Sequence, residues 1–193
     1  MKFAAHDVPR DGNCLFHSIL TTWLHYVGKD VSDHGTGAAY LRELSVRHLV
    51  GAPQSDEILM LLTEGIEPPL RISDMASLPL DINPKRRVLG EPMHRIIVSS
   101  EEAAGHEQHN TGKGSVLRRA EAYARKMRTP GQWGGESEIK SCAELLGVQI
   151  VVYCEWVRGE QRTRLVVGAH GAPKLRLLYD EGSAHYAPLL PAS

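Results

Sequence analysis

Two residues in this chain have the type and setting for acyl-transfer chemistry. Cys14 follows the turn-forming run Pro9-Arg10-Asp11-Gly12-Asn13, and Leu15, Phe16, Ile19, Leu20, Trp23, Leu24 and Val27 follow it at helical spacing. The pattern predicts a helix from about residue 13 to Gly28, with Asp11 or Asn13 capping it and Cys14 in its first turn. A thiol attacks only as thiolate, and a helix N-terminus, with its partial positive charge and unpaired N–H groups, stabilises that anion. Gly12 allows a tight turn whose N–H groups, near residues 11 to 14, can converge on the oxygen of a tetrahedral intermediate. The second residue is His185. It emerges after a β-rich run and the polar turn Asp180-Glu181-Gly182-Ser183-Ala184, and a histidine held at a sheet edge can face a helix N-terminus and act as its base. Alone, each has a plain structural reading: a small buried residue opening an amphipathic helix, and one of ten histidines with a packing role.

Several elements must hold these two groups. Helices are expected at 38–49, around Ile58–Leu62 and at 116–127, and again where Ile139, Cys142, Ala143, Leu145 and Leu146 precede a C-capping Gly147. Residues 68 to 114 are broken by prolines and glycines and read as irregular, an insertion or substrate-binding region with one short strand at Arg95–Val98. Runs at 148–153, 163–167 and 175–179 suggest an antiparallel meander. Helices first and strands last predict an α+β fold, with helices packed on a small, mostly antiparallel sheet. At 193 residues the chain suits one domain, 1–193, that buries about 70% of its unfolded surface.

Composition narrows the function. A formal charge of −1 with 42% hydrophobic and 23% charged residues argues against a nucleic-acid partner or a basic membrane surface. No stretch approaches the roughly 18 apolar residues of a membrane span, and the N-terminus does not read as a signal peptide. The three cysteines, Cys14, Cys142 and Cys154, lack zinc-site spacing and are too few and too odd for a disulfide framework, which suits a reducing, intracellular, cytoplasmic setting. Gly105-His106-Glu107-Gln108-His109 is not the H-E-x-x-H arrangement, so no metal and no cofactor are expected. Cys142 and Cys154 read as packing residues.

Three blocks in order, Asp11-Gly12-Asn13-Cys14-Leu15-Phe16-His17-Ser18, Trp133-Gly134-Gly135-Glu136 before a helix and Val148–Tyr153, and His185-Tyr186 near the end, resemble the ovarian-tumour (OTU) family of cysteine peptidases over nearly the whole chain. The resemblance implies a papain-like fold and hydrolysis of isopeptide bonds between lysine and the C-terminal glycine of ubiquitin, polyubiquitin or a ubiquitin-like modifier. It makes Cys14 the nucleophile and His185 the general base and acid. Asp11 becomes a supporting acid that orients the histidine or steadies the oxyanion loop, Gly12 and Asn13 belong to that loop, and Trp133 walls the substrate groove. Many family members place Asp or Asn two residues after the histidine, whereas this chain has Ala187; Asp11, Asp180, Glu181 or a backbone carbonyl are the alternatives for that role. Two other readings compete. One is a catalytically silent ubiquitin-binding module, disfavoured because cysteine and histidine are both present. The other is a papain-like amidase or transglutaminase, disfavoured by the D-G-N-C-L-F and W-G-G-E blocks.

Overall fold

The computed structural model describes residues 2–29, 35–50, 112–129, 131–157 and 160–192. In chain order these form β1 (Phe3–Ala5), α1 (Cys14–Tyr26), α2 (Gly35–Leu49), α3 (Gly112–Arg128), α4 (Glu136–Leu146), β2 (Gln149–Val157), β3 (Glu160–Val167), β4 (Lys174–Asp180) and β5 (His185–Pro191). The helix expected near Ile58, the irregular region expected at 68–114 as far as residue 111, its short strand at Arg95–Val98 and the histidines at 106 and 109 lie outside the described residues; 112–114, expected to be irregular, open α3.

Helix α1 is the centre of the core. Every side chain from Cys14 to Thr22 is buried, as expected of a helix surrounded by other elements rather than lying on a surface. Leu15, Phe16, Ile19 and Leu24, each 1% exposed or less, pack with Ile139 of α4 and with Ile150, Leu175 and Leu177 of the sheet. Burying such side chains contributes roughly 1.5–3 kcal/mol apiece. Helix α2 packs on α1 and α4 and is tied to α4 where Ser141 Oγ donates to the Ser45 carbonyl at 3.0 Å. Helix α3 is anchored by Arg128, which forks onto the buried Glu43 carboxylate. The expected stop of α4 is present: Gly147 has a φ of 63°, and its N–H and that of Val148 satisfy the Glu144 and Ala143 carbonyls.

The five strands make one sheet in the order β1-β5-β4-β2-β3. Three of the pairings are antiparallel, but β2 and β4 run parallel, so the expected meander is replaced by a sheet in which β2 lies between β3 and β4. Side-chain chemistry gives the reason. Leu175 and Leu177 of β4 are fully buried and belong at the sheet centre, beneath α1. Thr163, Arg164 and Val166 of β3 are exposed and belong at an edge. Two strands were not foreseen, β1 and β5, whose pairing spans the chain from Phe3 to Pro191. His185 opens β5, the second strand from the edge. Since β1 reaches only to Ala5 opposite Leu189, β5 has a single strand neighbour, β4, where His185 sits opposite Asp180.

Candidate active site

The loop before α1 is held by its own side chains. Asp11 Oδ1 accepts the Asn13 N–H at 2.8 Å, an Asx turn, and Asp11 Oδ2 meets His17 Nε2 at 3.1 Å, one turn into the helix. Partial burial works against this carboxylate, but the Asn13 N–H, His17 and the Asn13 side chain outweigh it and hold Asp11 below its ordinary value of 3.8. Its contribution to stability is therefore complete above that value and is lost as pH falls beneath it.

The expected cap is absent. Asn13 is the N-cap residue but makes no side-chain bond to the helix; its Oδ1 instead accepts from Arg42 Nη1 at 2.9 Å, and its Nδ2 donates to Asp11 at 3.4 Å. Among the described residues the first-turn N–H groups of α1, beginning with that of Cys14, are thus left without a side-chain acceptor, which a site for an anion requires. Asn13 itself cannot supply an oxyanion donor from its backbone, because Asp11 already takes that N–H. Asn13 instead ties the loop to α2.

Arg42 had no motif to announce it. It lies on α2, is 8% exposed, stacks its guanidinium 5.4 Å above the Phe16 ring and is within electrostatic reach of Cys14, Asp11 and Glu138. Its Nε and Nη2 make no hydrogen bond among the described residues. Arg42→Met, which keeps the stem but removes the bond to Asn13, is expected to reduce kcat about ten- to a hundredfold with little change in KM. That loss corresponds to a charge-assisted hydrogen bond of about 1.5–3 kcal/mol, and steady-state kinetics on a fluorogenic substrate would show it. A KM-only effect would place Arg42 in substrate binding instead.

A second loop closes against the first. Gly12 has a φ of 86°, and a Cβ on it would lie 2.6 Å from Cα of Gly131. Further along, a Cβ on Gly134 would lie 2.8 Å from Leu15 Cδ2, so the Trp133-Gly134-Gly135 segment rests directly on the start of α1. Helix α4 follows, its Gly135 N–H donated to the buried Glu138 carboxylate at 2.7 Å, whose other oxygen accepts from Tyr123. Burial and that carboxylate push the Tyr123 hydroxyl far above its ordinary value. Trp133 is 51% exposed and lines a cavity of about 260 Å³ with Gly134, Gly135, Ile139, Tyr179 and Tyr186. A larger cavity, about 540 Å³, lies between the end of α4 and the end of β3; neither cavity is lined by Cys14 or His185, and the smaller one adjoins them through Tyr186, next to His185, and through Gly134, which rests on Leu15.

His185 stands at the start of β5, the strand against which α1 packs. Helix α1 packs on β5 and β4, and Cys14 lies within electrostatic reach of the Tyr186 hydroxyl. Burial pushes that hydroxyl up to about 12. His185 is 7% exposed. Burial and Arg10 lower its pKa, while Asp7 and Asp180 oppose them. The carboxylates considered for orienting it are otherwise engaged: Asp180 accepts from the Gly182 N–H and the Ser183 hydroxyl, Glu181 pairs with Arg164 at 3.0 Å, and Asp11 serves Asn13 and His17. Of the other thiols, Cys142 is fully buried, which pushes it well above its ordinary value, and Cys154 lies 3.7 Å from Glu181 Oε1. Among the described residues no cluster of three or more His, Cys, Asp or Glu could hold a metal ion, and no helix is long and apolar enough to cross a membrane.

A thiol at a helix N-terminus, a buried imidazole on a strand that the helix packs against and an aromatic-walled cavity nearby are the kinds of part that a covalent acyl-transfer site needs. The fold is that of several solved OTU domains. Aligned structures include the OTU domain of OTUD1, at 14% identity and TM-score 0.52 over 98% of this chain and 86% of that one. The viral OTU domain protease from Taggert virus aligns at 14% and 0.52 over 99% and 81%. The OTU deubiquitinase from Wolbachia pipientis wMel, solved bound to ubiquitin, aligns at 14% and 0.50 over 98% and 96%. No curated protein matches the sequence. Residues 9–186, which span every block singled out in the sequence, match the family described as OTU-like cysteine protease, and the chain belongs to that family.

Proposed function

We propose that residues 1–193 act as one catalytic domain that hydrolyses isopeptide bonds between lysine and the C-terminal glycine of ubiquitin or a ubiquitin-like modifier. The observation that carries this reading is the uncapped N-terminus of α1, which presents Cys14 where α1 packs on the strand that His185 opens. His185 takes the Cys14 proton, and the thiolate attacks the glycine carbonyl carbon. The resulting oxyanion is met by the N–H groups of Gly12, Cys14 and the rest of the first turn of α1. As the tetrahedral intermediate collapses, the C–N bond breaks and the His185 imidazolium gives its proton to the departing lysine amine. A water deprotonated by His185 then attacks the thioester, releasing the modifier's carboxylate and the free thiol. Thiol, imidazole and water supply this sequence without a cofactor. The cavity beside Trp133 suits an extended chain end of small residues, and a thiolate nucleophile suits a reducing, intracellular, cytoplasmic setting.

Asp11 enters this scheme as a support of the loop. Asp11→Ala removes the Asx turn and leaves the buried His17 ring without its partner, so it should cost about 1–3 kcal/mol of stability and lower kcat strongly. Thermal melts and kinetics on the same preparation measure both, and an Asp11→Ala enzyme of wild-type rate would remove Asp11 from the mechanism. The function itself is tested by intact-mass analysis after incubation with ubiquitin carrying a thiol-reactive group at its C-terminus. An adduct of one ubiquitin supports the reading. No adduct on folded protein would point to a different modifier, another acyl substrate or a silent module.

A further inference from the structure

We propose that Asp7 is the positioning carboxylate of His185, supplied from the segment beside β5 in place of a residue on β5 itself. The inference rests on the catalytic role given to His185 above. Position 187, which lies two residues along β5 and so on the same face as His185, holds Ala187, whose methyl side chain can accept no hydrogen bond.

Strand register points to the substitute. In the β1–β5 pairing Phe3 faces Pro191, Ala4 faces Leu190 and Ala5 faces Leu189, and the His6 N–H continues the ladder by donating to the Pro188 carbonyl at 3.0 Å. One more step sets Asp7 opposite Ala187, on the face that His185 shares. The side chains agree with this register: Asp7 Oδ1 lies 3.9 Å from His185 Nε2. That nitrogen is buried and has no hydrogen-bond partner among the described residues. The segment is pinned on both sides of Asp7, by the His6 bond and by the buried Val8, while the Asp7 side chain is 89% exposed and free to turn. A small rotation closes the gap to hydrogen-bond length. A carboxylate on Nε2–H fixes the tautomer, leaves Nδ1 as the base and stabilises the imidazolium once it forms.

The charged groups facing His185 are Asp7, Asp180 and Arg10, of which the two carboxylates favour the imidazolium and Arg10 opposes it. Asp180 is committed to its turn, so Asp7 is the carboxylate left to move. In a thiolate–imidazolium enzyme the alkaline limb of the kcat/KM profile reports loss of the imidazolium proton. Removing Asp7's charge should therefore shift that limb to lower pH.

The test compares wild type with Asp7→Asn and Asp7→Glu, using NMR titration of the His185 imidazole and pH profiles of ubiquitin-substrate cleavage. Asp7→Asn, with unchanged shape, is expected to lower the His185 pKa by about half a unit or more, to move the alkaline limb by the same amount and to reduce kcat roughly tenfold or more. Asp7→Glu should recover part of each. A His185 titration unchanged in Asp7→Asn overturns the proposal whether or not the protein cleaves ubiquitin. An unchanged alkaline limb with a lowered kcat would also overturn it, by making Asp7 merely structural. A wild type that forms no ubiquitin adduct yet shows the Asp7-dependent His185 titration would sink the substrate assignment and leave the Asp7–His185 pairing standing.

Discussion

Cys14→Ala is expected to abolish ubiquitin-adduct formation and reduce turnover by roughly 10⁴-fold or more, while affinity for ubiquitin is retained. The size follows from the role. Without the sulfur there is no acyl-enzyme, and the residual groups, N–H donors and an imidazole, are left to orient water alone. Binding survives because the cavity walls, Trp133, the two glycines after it and Tyr186, do not depend on the thiol. Cys14 is 7% exposed and a methyl group fits where the thiol was, so the variant should fold. The control is Cys142→Ser. Its fully buried thiol on α4 packs in the core, and exchanging sulfur for a more polar oxygen should cost about 1–2 kcal/mol and leave turnover within about twofold. Adduct mass and isothermal binding on the two variants decide the matter, and the site is misassigned if Cys142→Ser is the silent one.

How much of this was legible in the sequence depends on how far apart the interacting parts lie. The spacing from Leu15 to Val27 and the stop at Gly147 were readable because a helix and its cap are made by residues within one or two turns of each other. The parallel pairing of β2 with β4 was not, since strand order is set by which strand buries leucines under α1, a property of the assembled core. Strand β1 is three residues long and has no alternation to detect; its partner lies at the far end of the chain. The site divides in the same way. Cys14, His185 and Gly12 stand in motifs, whereas Arg42 and Asp7 meet their neighbours only on folding. For Arg42 the one available signal was a cation on a helix otherwise rich in apolar positions, beside Leu41 and Leu44, and buried cations require partners. Capping was misread for an instructive reason. Asp and Asn before a helix ordinarily bind its N–H groups, yet here the Asn13 N–H, His17 and Arg42 hold those two side chains in the loop and leave the helix end uncapped by either. A functional site is where local rules are expected to yield.

The loop that these bonds shape carries the second large effect. Gly12→Ala places a methyl group against the backbone of Gly131, at 2.6 Å from its Cα and 3.0 Å from its N and C, and does so at a φ of 86°. A left-handed conformation costs an L-residue about 1–2 kcal/mol, and a forced contact in a packed region typically adds about 1–3 kcal/mol. Neither side of the contact can yield by turning a side chain, since both atoms belong to backbone, so the two loops must part. Separation moves the N–H groups beside Cys14, and losing oxyanion donors costs about 10²- to 10³-fold in kcat. Gly131→Ala separates the two causes. Gly131 also has a positive φ, 79°, but a Cβ there meets nothing within 4 Å, so that variant should show only the conformational cost, with kcat within a few-fold of wild type. Melting temperature and single-turnover rates for the pair read the contact directly. If Gly12→Ala retains the activity of Gly131→Ala, the apposition of the two loops does not hold the catalytic geometry. If it loses two or three decades of kcat beyond Gly131→Ala, then what this site requires of residue 12 is the absence of a side chain, a demand made by a loop more than a hundred residues away.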